Sequence, residues 1–148
     1  MAVTTFAAID IGSYEVSMKI FEMSKRIGFR EINDVRYQLE LGRGTYAAGR
    51  LEMETVDELC EILNDFKRMM AEFGVESWRA CATSSLRELE NPVIILEQIY
   101  QRTGIRVEIL SNAEQHFLGY KSIAAIESGF KKICLLYTSP SPRDYAAS

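Results

Sequence analysis

Three short clusters in this sequence bring together the residue types that handle phosphate. In the first, Ala8-Ile9-Asp10-Ile11-Gly12-Ser13, a carboxylate at the end of an apolar run is followed at once by Gly and a hydroxyl. Gly lets backbone come close to an anion, the N–H groups of Gly12 and Ser13 can donate to phosphate oxygens, and Asp10 can hold a hydrated Mg²⁺ beside them. A plain hairpin turn would account for the same residues read alone. In the second cluster, Ala82 to Asn91, the hydroxyls of Thr83, Ser84 and Ser85 open a helical segment, and Arg87 follows one turn in. Backbone N–H groups, the helix dipole and a bidentate guanidinium can there converge on one phosphate, or the hydroxyls can be caps and Arg87 a surface charge. In the third, Ser111-Asn112-Ala113-Glu114-Gln115-His116, Glu114 can position and deprotonate a water or can simply pair with Ser111 in a capping box. His116, the single histidine, has no partner at metal-ligand spacing and reads as a surface or packing residue.

The elements that must position these clusters follow from apolar periodicity. Phe6 to Ile11 reads as a strand, Gly12-Ser13 as a tight turn, and Val16, Met18 and Ile20 as a second, alternating strand. Phe29 to Leu41 alternates as a third, and the Gly-rich stretch Gly42 to Gly49 reads as a loop. Thr55 and Glu58 have capping-box spacing, and Val56, Leu59, Ile62, Leu63, Phe66, Met69, Met70 and Phe73 recur every three or four residues up to Gly74. Val75 to Thr83 reads as a strand, and Pro92 interrupts or restarts the helical segment after it. Ile105 to Leu110 is a further strand, a helix runs from Ser111 to about Ser128, and Ile133 to Leu136 begins another apolar strand. The order predicts an α/β domain with a mixed sheet, antiparallel among the first three strands and joined by crossover helices thereafter. All three clusters then fall at carboxyl ends of strands, where open α/β sheets place their ligand crevices.

Composition restricts the function classes. A chain of 148 residues, 47% hydrophobic and 26% charged, has the mix of one soluble domain. A net charge of -4 without a basic run lacks the electrostatic footprint of a nucleic-acid binder, and no segment argues for a membrane or for export. Cys60, Cys81 and Cys134 are odd in number and widely spaced, and read as reduced core thiols of a cytoplasmic protein.

The clusters occur in a familiar order. From Phe6 to Phe130 the sequence resembles the start of the exopolyphosphatase and guanosine pentaphosphate phosphatase family, with its Ile-Asp-Ile-Gly-Ser loop, its Ala-Thr-Ser-Ser-Leu-Arg-Glu turn and its Leu-Ser-x-x-Glu helix start. The middle motif is the most specific, since sugar kinases and actin relatives share only the first loop. The resemblance implies an actin-like, ribonuclease H-like fold with a mixed five-stranded sheet in the first lobe, and phosphate bound in a cleft between two lobes with the help of Mg²⁺. It implies hydrolysis of a phosphoanhydride, releasing terminal phosphate from inorganic polyphosphate or the 5′ γ-phosphate of guanosine pentaphosphate. By the same resemblance Asp10 assists the metal, Gly12, Ser13, Ser84 and Arg87 hold phosphate, and Glu114 sits beside the water. It leaves room for a homodimer of the full-length protein.

Departures from the family pattern bear on activity. Tyr14 and Glu15 follow Ser13 where the family continues with Asn and a hydroxyl, so Glu15 adds negative charge near a polyanion unless it points away. The family pairs two glutamates at the third motif and gives the second the role of base; that position is Gln115, and an amide cannot act as a base. A non-catalytic phosphate or nucleotide sensor is therefore the alternative expectation, and an isolated interaction domain without a small ligand a third. The second phosphate loop, Asp-x-Gly-Gly-Gly-Ser, is expected after the strand at Ile133; instead Tyr137 to Ser148 holds Pro140 and Pro142 among small polar residues, and Leu135 to Asp144 resembles translated adapter read-through. The expected organisation is an incomplete N-terminal phosphate-binding lobe over 1–136 and a non-native or disordered tail over 137–148, inactive alone.

Overall fold

The structure is a computed structural model that describes residues 3–26 and 28–114. Five strands form one sheet: β1 (Thr4–Ile11), β2 (Glu15–Ser24), β3 (Gly28–Gln38), β4 (Ser77–Ala82) and β5 (Val107–Ile109), in the spatial order β3-β2-β1-β4-β5. β1, β2 and β3 are antiparallel neighbours, whereas β4 pairs parallel with both β1 and β5. The mixed sheet expected from the strand pattern, and the five strands implied by the family resemblance, are thus present among the described residues, and the parallel pairs bring the carboxyl ends of β1, β4 and β5 to one edge.

Alternation along β1 sorts its residues between the two faces. Ala7, Ile9 and Ile11 enter the main core, which they share with Val16, Met18 and Ile20 of β2 and Ala80 and Ala82 of β4. α2 (Met53–Glu72) covers that face with Val56, Leu59, Cys60, Ile62, Leu63, Phe66 and Met70 buried at helical spacing. A buried side chain of this size contributes roughly 1.5–3 kcal/mol relative to exposure, so the stripe holds the helix although its N-cap residue Glu52 makes no side-chain cap. The capping box expected at Thr55 and Glu58 does not form, because the helix has already begun at Met53 and Thr55 N–H donates to the Glu52 carbonyl. α4 (Pro92–Thr103), with Pro in its first turn and Gly104 as a left-handed C-cap, adds Ile99 to the same core. On the opposite face Ala8, Phe21, Cys81 and Leu110 form a smaller buried cluster.

The Gly-rich stretch read as a loop is instead a helix, α1 (Leu41–Ala48). Two contacts outside the helix hold it: Gly42 N–H donates to the Ser13 carbonyl (2.8 Å) and Thr45 Oγ1 donates to the Ser85 carbonyl (2.7 Å); Gly49, at φ 68°, ends it through a bond to the Thr45 carbonyl. The third strand also ends earlier than expected, at Gln38, since Leu39 and Leu41 leave the ladder to fill the core. The polar turn after β4 winds into a single helical turn, α3 (Ser84–Arg87). The helix expected from Ser111 to Ser128, the strand at Ile133, the tail over 137–148, and Gln115, His116 and Cys134 lie outside the described residues, apart from the helix start.

Candidate functional site

Asp10 has the parity of Ala8 and so lies on the face of the smaller cluster, one residue before the end of β1 and in register with Cys81 of β4. Burial first, and the negative charge of Glu15 second, push its carboxyl up to about 7. Glu15 itself is in an ion pair with Arg36 of β3 at 3.3 Å, which answers part of its charge but does not remove its influence on Asp10.

The β1–β2 connection is as tight as expected, but its hydrogen bonding differs from the phosphate loop anticipated. Gly12 N–H donates to the Glu15 carbonyl at 2.9 Å, so it closes the hairpin rather than presenting itself to an anion. Packing favours Gly there, since a Cβ at Gly12 would lie 3.0 Å from that carbonyl oxygen and the hairpin would have to give by a few tenths of an ångström. Ser13 is held by α1: its carbonyl accepts from Gly42, and its hydroxyl is 2.8 Å from that of Tyr46.

Motif two is tied to motif one by Ser85, whose buried hydroxyl donates to the Ile11 carbonyl at 2.9 Å. Ser84 Oγ accepts from the Tyr46 hydroxyl at 2.6 Å. α3 is only one turn long, with Leu86 and Arg87 N–H both directed to the Thr83 carbonyl. Aligned peptide dipoles are too few here for the macrodipole expected of a longer helix. Arg87 is partly buried; its Nη1 donates to the Leu110 carbonyl at 2.7 Å, and its Nε reaches Glu88 at 3.4 Å. Leu110 N–H in turn donates to the Ala82 carbonyl, so motifs two and three are bound to each other at the sheet edge.

In motif three the capping reading of Ser111 and Glu114 is realised. Ser111 N–H donates to Glu114 Oε2 (2.8 Å), and Glu114 N–H donates to Ser111 Oγ (3.1 Å). These bonds hold the Glu114 carboxyl below the usual carboxylate range, Ser111 N–H being the main cause. Both Asp10 and Glu114 act on the buried Cys81 thiol, which burial chiefly pushes up to about 12. The sheet therefore gathers Asp10, Ser13, Ser84, Arg87 and Glu114 at one edge. Tyr46 joins them without having been anticipated, because it stands in the segment read as a loop; the hydroxyl and its spacing from Gly42 carried no motif.

Comparison with known proteins bears on the family and the fold. The sequence profile of the Ppx/GppA phosphatase family matches residues 20–134. Exopolyphosphatase 1 of Mycobacterium leprae is 21% identical over 115 residues, covering 78% of this chain and 34% of that protein. The guanosine-5′-triphosphate,3′-diphosphate pyrophosphatase of Vibrio parahaemolyticus is 24% identical over 124 residues, covering 84% of this chain and 25% of that one. The crystal structure of the Aquifex aeolicus Ppx/GppA family member superposes with a TM-score of 0.77 at 28% identity, over 83% of this chain and 40% of that one. The chain thus spans between a quarter and two-fifths of the length of these relatives. With its motifs, mixed sheet and profile in agreement, the chain belongs to the Ppx/GppA phosphatase family.

Proposed function

We propose that the chain supplies the first phosphate-binding lobe of a phosphoanhydride hydrolase that releases terminal phosphate from inorganic polyphosphate or the 5′ γ-phosphate of guanosine pentaphosphate. The observation that carries the reading is the direct bonding among the three motifs at one sheet edge: Ser85 to Ile11, Tyr46 to Ser13 and Ser84, and Arg87 to Leu110. Phosphoryl transfer asks for fixed positions and charge neutralisation more than for covalent chemistry, and such bonding fixes positions before substrate arrives.

Mg²⁺ suits the donors present. Among the described residues no three His, Cys, Asp or Glu side chains gather as a metal cage, but Mg²⁺ uses one or two carboxylates and completes its shell with waters and substrate phosphates. Asp10 offers one such carboxylate, and a neighbouring dication would draw its raised pKa down and keep it ionised. The ion would neutralise charge on the transferring phosphoryl group. The Ser13 backbone N–H, the Ser84 hydroxyl and Arg87 would hold phosphate oxygens, and Gly12 would shape the loop. Glu114, with Oε2 engaged by Ser111, would direct Oε1 to the water.

A second reading, a non-catalytic phosphate or nucleotide sensor, draws on the same Glu114. A carboxylate already hydrogen-bonded in a capping box, with its pKa lowered, is a weak base. The full-length polypeptide, assayed with Mg²⁺ for phosphate release from long-chain polyphosphate and from guanosine pentaphosphate, separates the two. Turnover of either supports the hydrolase; tight binding by calorimetry with no turnover supports the sensor, and neither binding nor turnover defeats both.

A further inference from the structure

Two phosphate-binding turns come from distant parts of the chain, yet a single side chain bridges them. Tyr46 of α1 lies 2.8 Å from Ser13 Oγ and donates its one proton to Ser84 Oγ at 2.6 Å. With that proton committed, the Ser13–Tyr46 bond must run the other way, from Ser13 to Tyr46. The chain of hydroxyls therefore has a direction: Ser13 to Tyr46 to Ser84. Ser13's proton is consumed within it, and Ser84, which accepts from Tyr46, is left with its own proton to give to an outside acceptor.

The ring is placed for this and not for packing. Tyr46 is 52% exposed, and it lies over Gly42, where a Cβ would meet its Cε2 at 2.9 Å. Gly42 N–H holds the Ser13 carbonyl in the same turn of helix, so α1 grips the first loop by backbone and by hydroxyl together. An open depression lined by Tyr46 and Ser84 also carries Glu88 and Glu90, so the Ser84 proton serves a polyanion only on the Ser13 side, away from those carboxylates.

We infer that Tyr46 is a positioning residue for phosphate binding, acting by orienting the Ser84 hydroxyl proton toward a phosphate oxygen held beside Ser13. This rests on the proposed phosphate site and adds to it a residue that contacts no phosphate itself. A donor already oriented and polarised by a neighbouring hydroxyl binds an anion more tightly than one free to rotate.

The test is calorimetric titration of the full chain with inorganic tripolyphosphate and Mg²⁺, in wild type, Tyr46→Phe, Ser84→Ala and the double variant. Phe keeps the ring over Gly42 and deletes only the hydroxyl. Tyr46→Phe is expected to weaken binding by about tenfold, the scale of one hydrogen bond to a charged group, and to cost nothing further once Ser84 is Ala. A merely structural role would lower the melting temperature without ligand and weaken binding equally in both backgrounds, and that result overturns the inference. Wild-type affinity in Tyr46→Phe also overturns it, with the phosphate site intact. No binding by wild type defeats the site and the inference together.

Discussion

The Arg87 guanidinium donates from Nη1 to the carbonyl oxygen of Leu110 at 2.7 Å, fastening the turn after β4 to the end of β5. The Arg proposed to hold phosphate is thus also a structural tie, and five donors on one planar group allow both. Arg87→Met keeps the stem and removes every donor, leaving the Leu110 carbonyl short of a partner. We expect a loss of about 1–3 kcal/mol, seen as a lower urea midpoint with unchanged slope. Arg87→Lys should recover part of that stability but little tripolyphosphate affinity, since an ammonium cannot serve the two acceptors in the same fixed geometry. Wild-type stability in Arg87→Met would contradict the tie.

Asp10 gives the fold a pH dependence whose direction follows from its raised pKa. In the unfolded chain the carboxyl ionises near 3.8, whereas in the folded chain it holds its proton to about 7. Below the lower value both states are protonated and there is no penalty. Between the two the unfolded state loses its proton first, so stability falls as pH rises and levels off above about 7. The gap corresponds to roughly 4 kcal/mol as a ceiling, reduced because Asp10 is only partly buried. Melting curves from pH 5 to 8 without divalent cation should show this decline, and Asp10→Asn should flatten it and be the more stable protein at pH 8. A wild-type profile that rises over that range would refute the assignment.

Much of this arrangement is legible in the sequence, and the exceptions have physical causes. Strand alternation and the apolar stripe of α2 are period signals that burial enforces directly, so β1, β2, β4 and α2 are found where the pattern puts them. α1 is not legible, because two of its eight residues, Gly42 and Gly44, disfavour helix and its stability comes from bonds to Ser13 and Ser85, far away in the chain. Tyr46 is hidden with it. The two capping boxes separate for a similar reason: Ser111 and Glu114 stand at a true helix start, whereas Thr55 and Glu58 are already inside a helix whose entry is set by Leu51 packing on the core. The tie between Arg87 and Leu110 depends on parallel register between β4 and β5, which no local spacing encodes.

The thiols test the core assignment. Cys60 and Cys81 are buried and free, and burial raises both, Cys81 to about 12. Since the thiolate is the reactive form, alkylation of either by iodoacetamide at pH 8 should be negligible in the native protein and complete in 6 M guanidinium, which is about the concentration that unfolds most domains. Peptide mapping reads the two sites separately. Rapid native labelling of Cys81 would place it outside the cluster with Ala8, Phe21 and Leu110.

Gly42→Ala sets helix propensity against geometry at the Ser13 loop. Within α1, Ala is favoured over Gly by about 1 kcal/mol. The added methyl would lie 2.9 Å from Tyr46 Cε2 and 3.0 Å from Ser13 Cβ, closer than carbon atoms approach. Of these, the Tyr46 ring is the half-exposed end of a side chain and can swing outward at little cost, whereas Ser13 is held through its backbone to Gly42 itself. The two effects on stability largely cancel, so the melting temperature should stay within a few degrees of wild type. Displacing the ring nevertheless breaks the hydroxyl contacts to Ser13 and Ser84, and tripolyphosphate binding should weaken about as much as in Tyr46→Phe, on the order of tenfold. Combining Gly42→Ala with Tyr46→Phe should then add little, because the smaller ring edge has no hydroxyl left to misplace. A large fall in melting temperature would mean instead that the ring is not free to move and that α1 is held by the packing of Tyr46 rather than by Gly42 and Thr45.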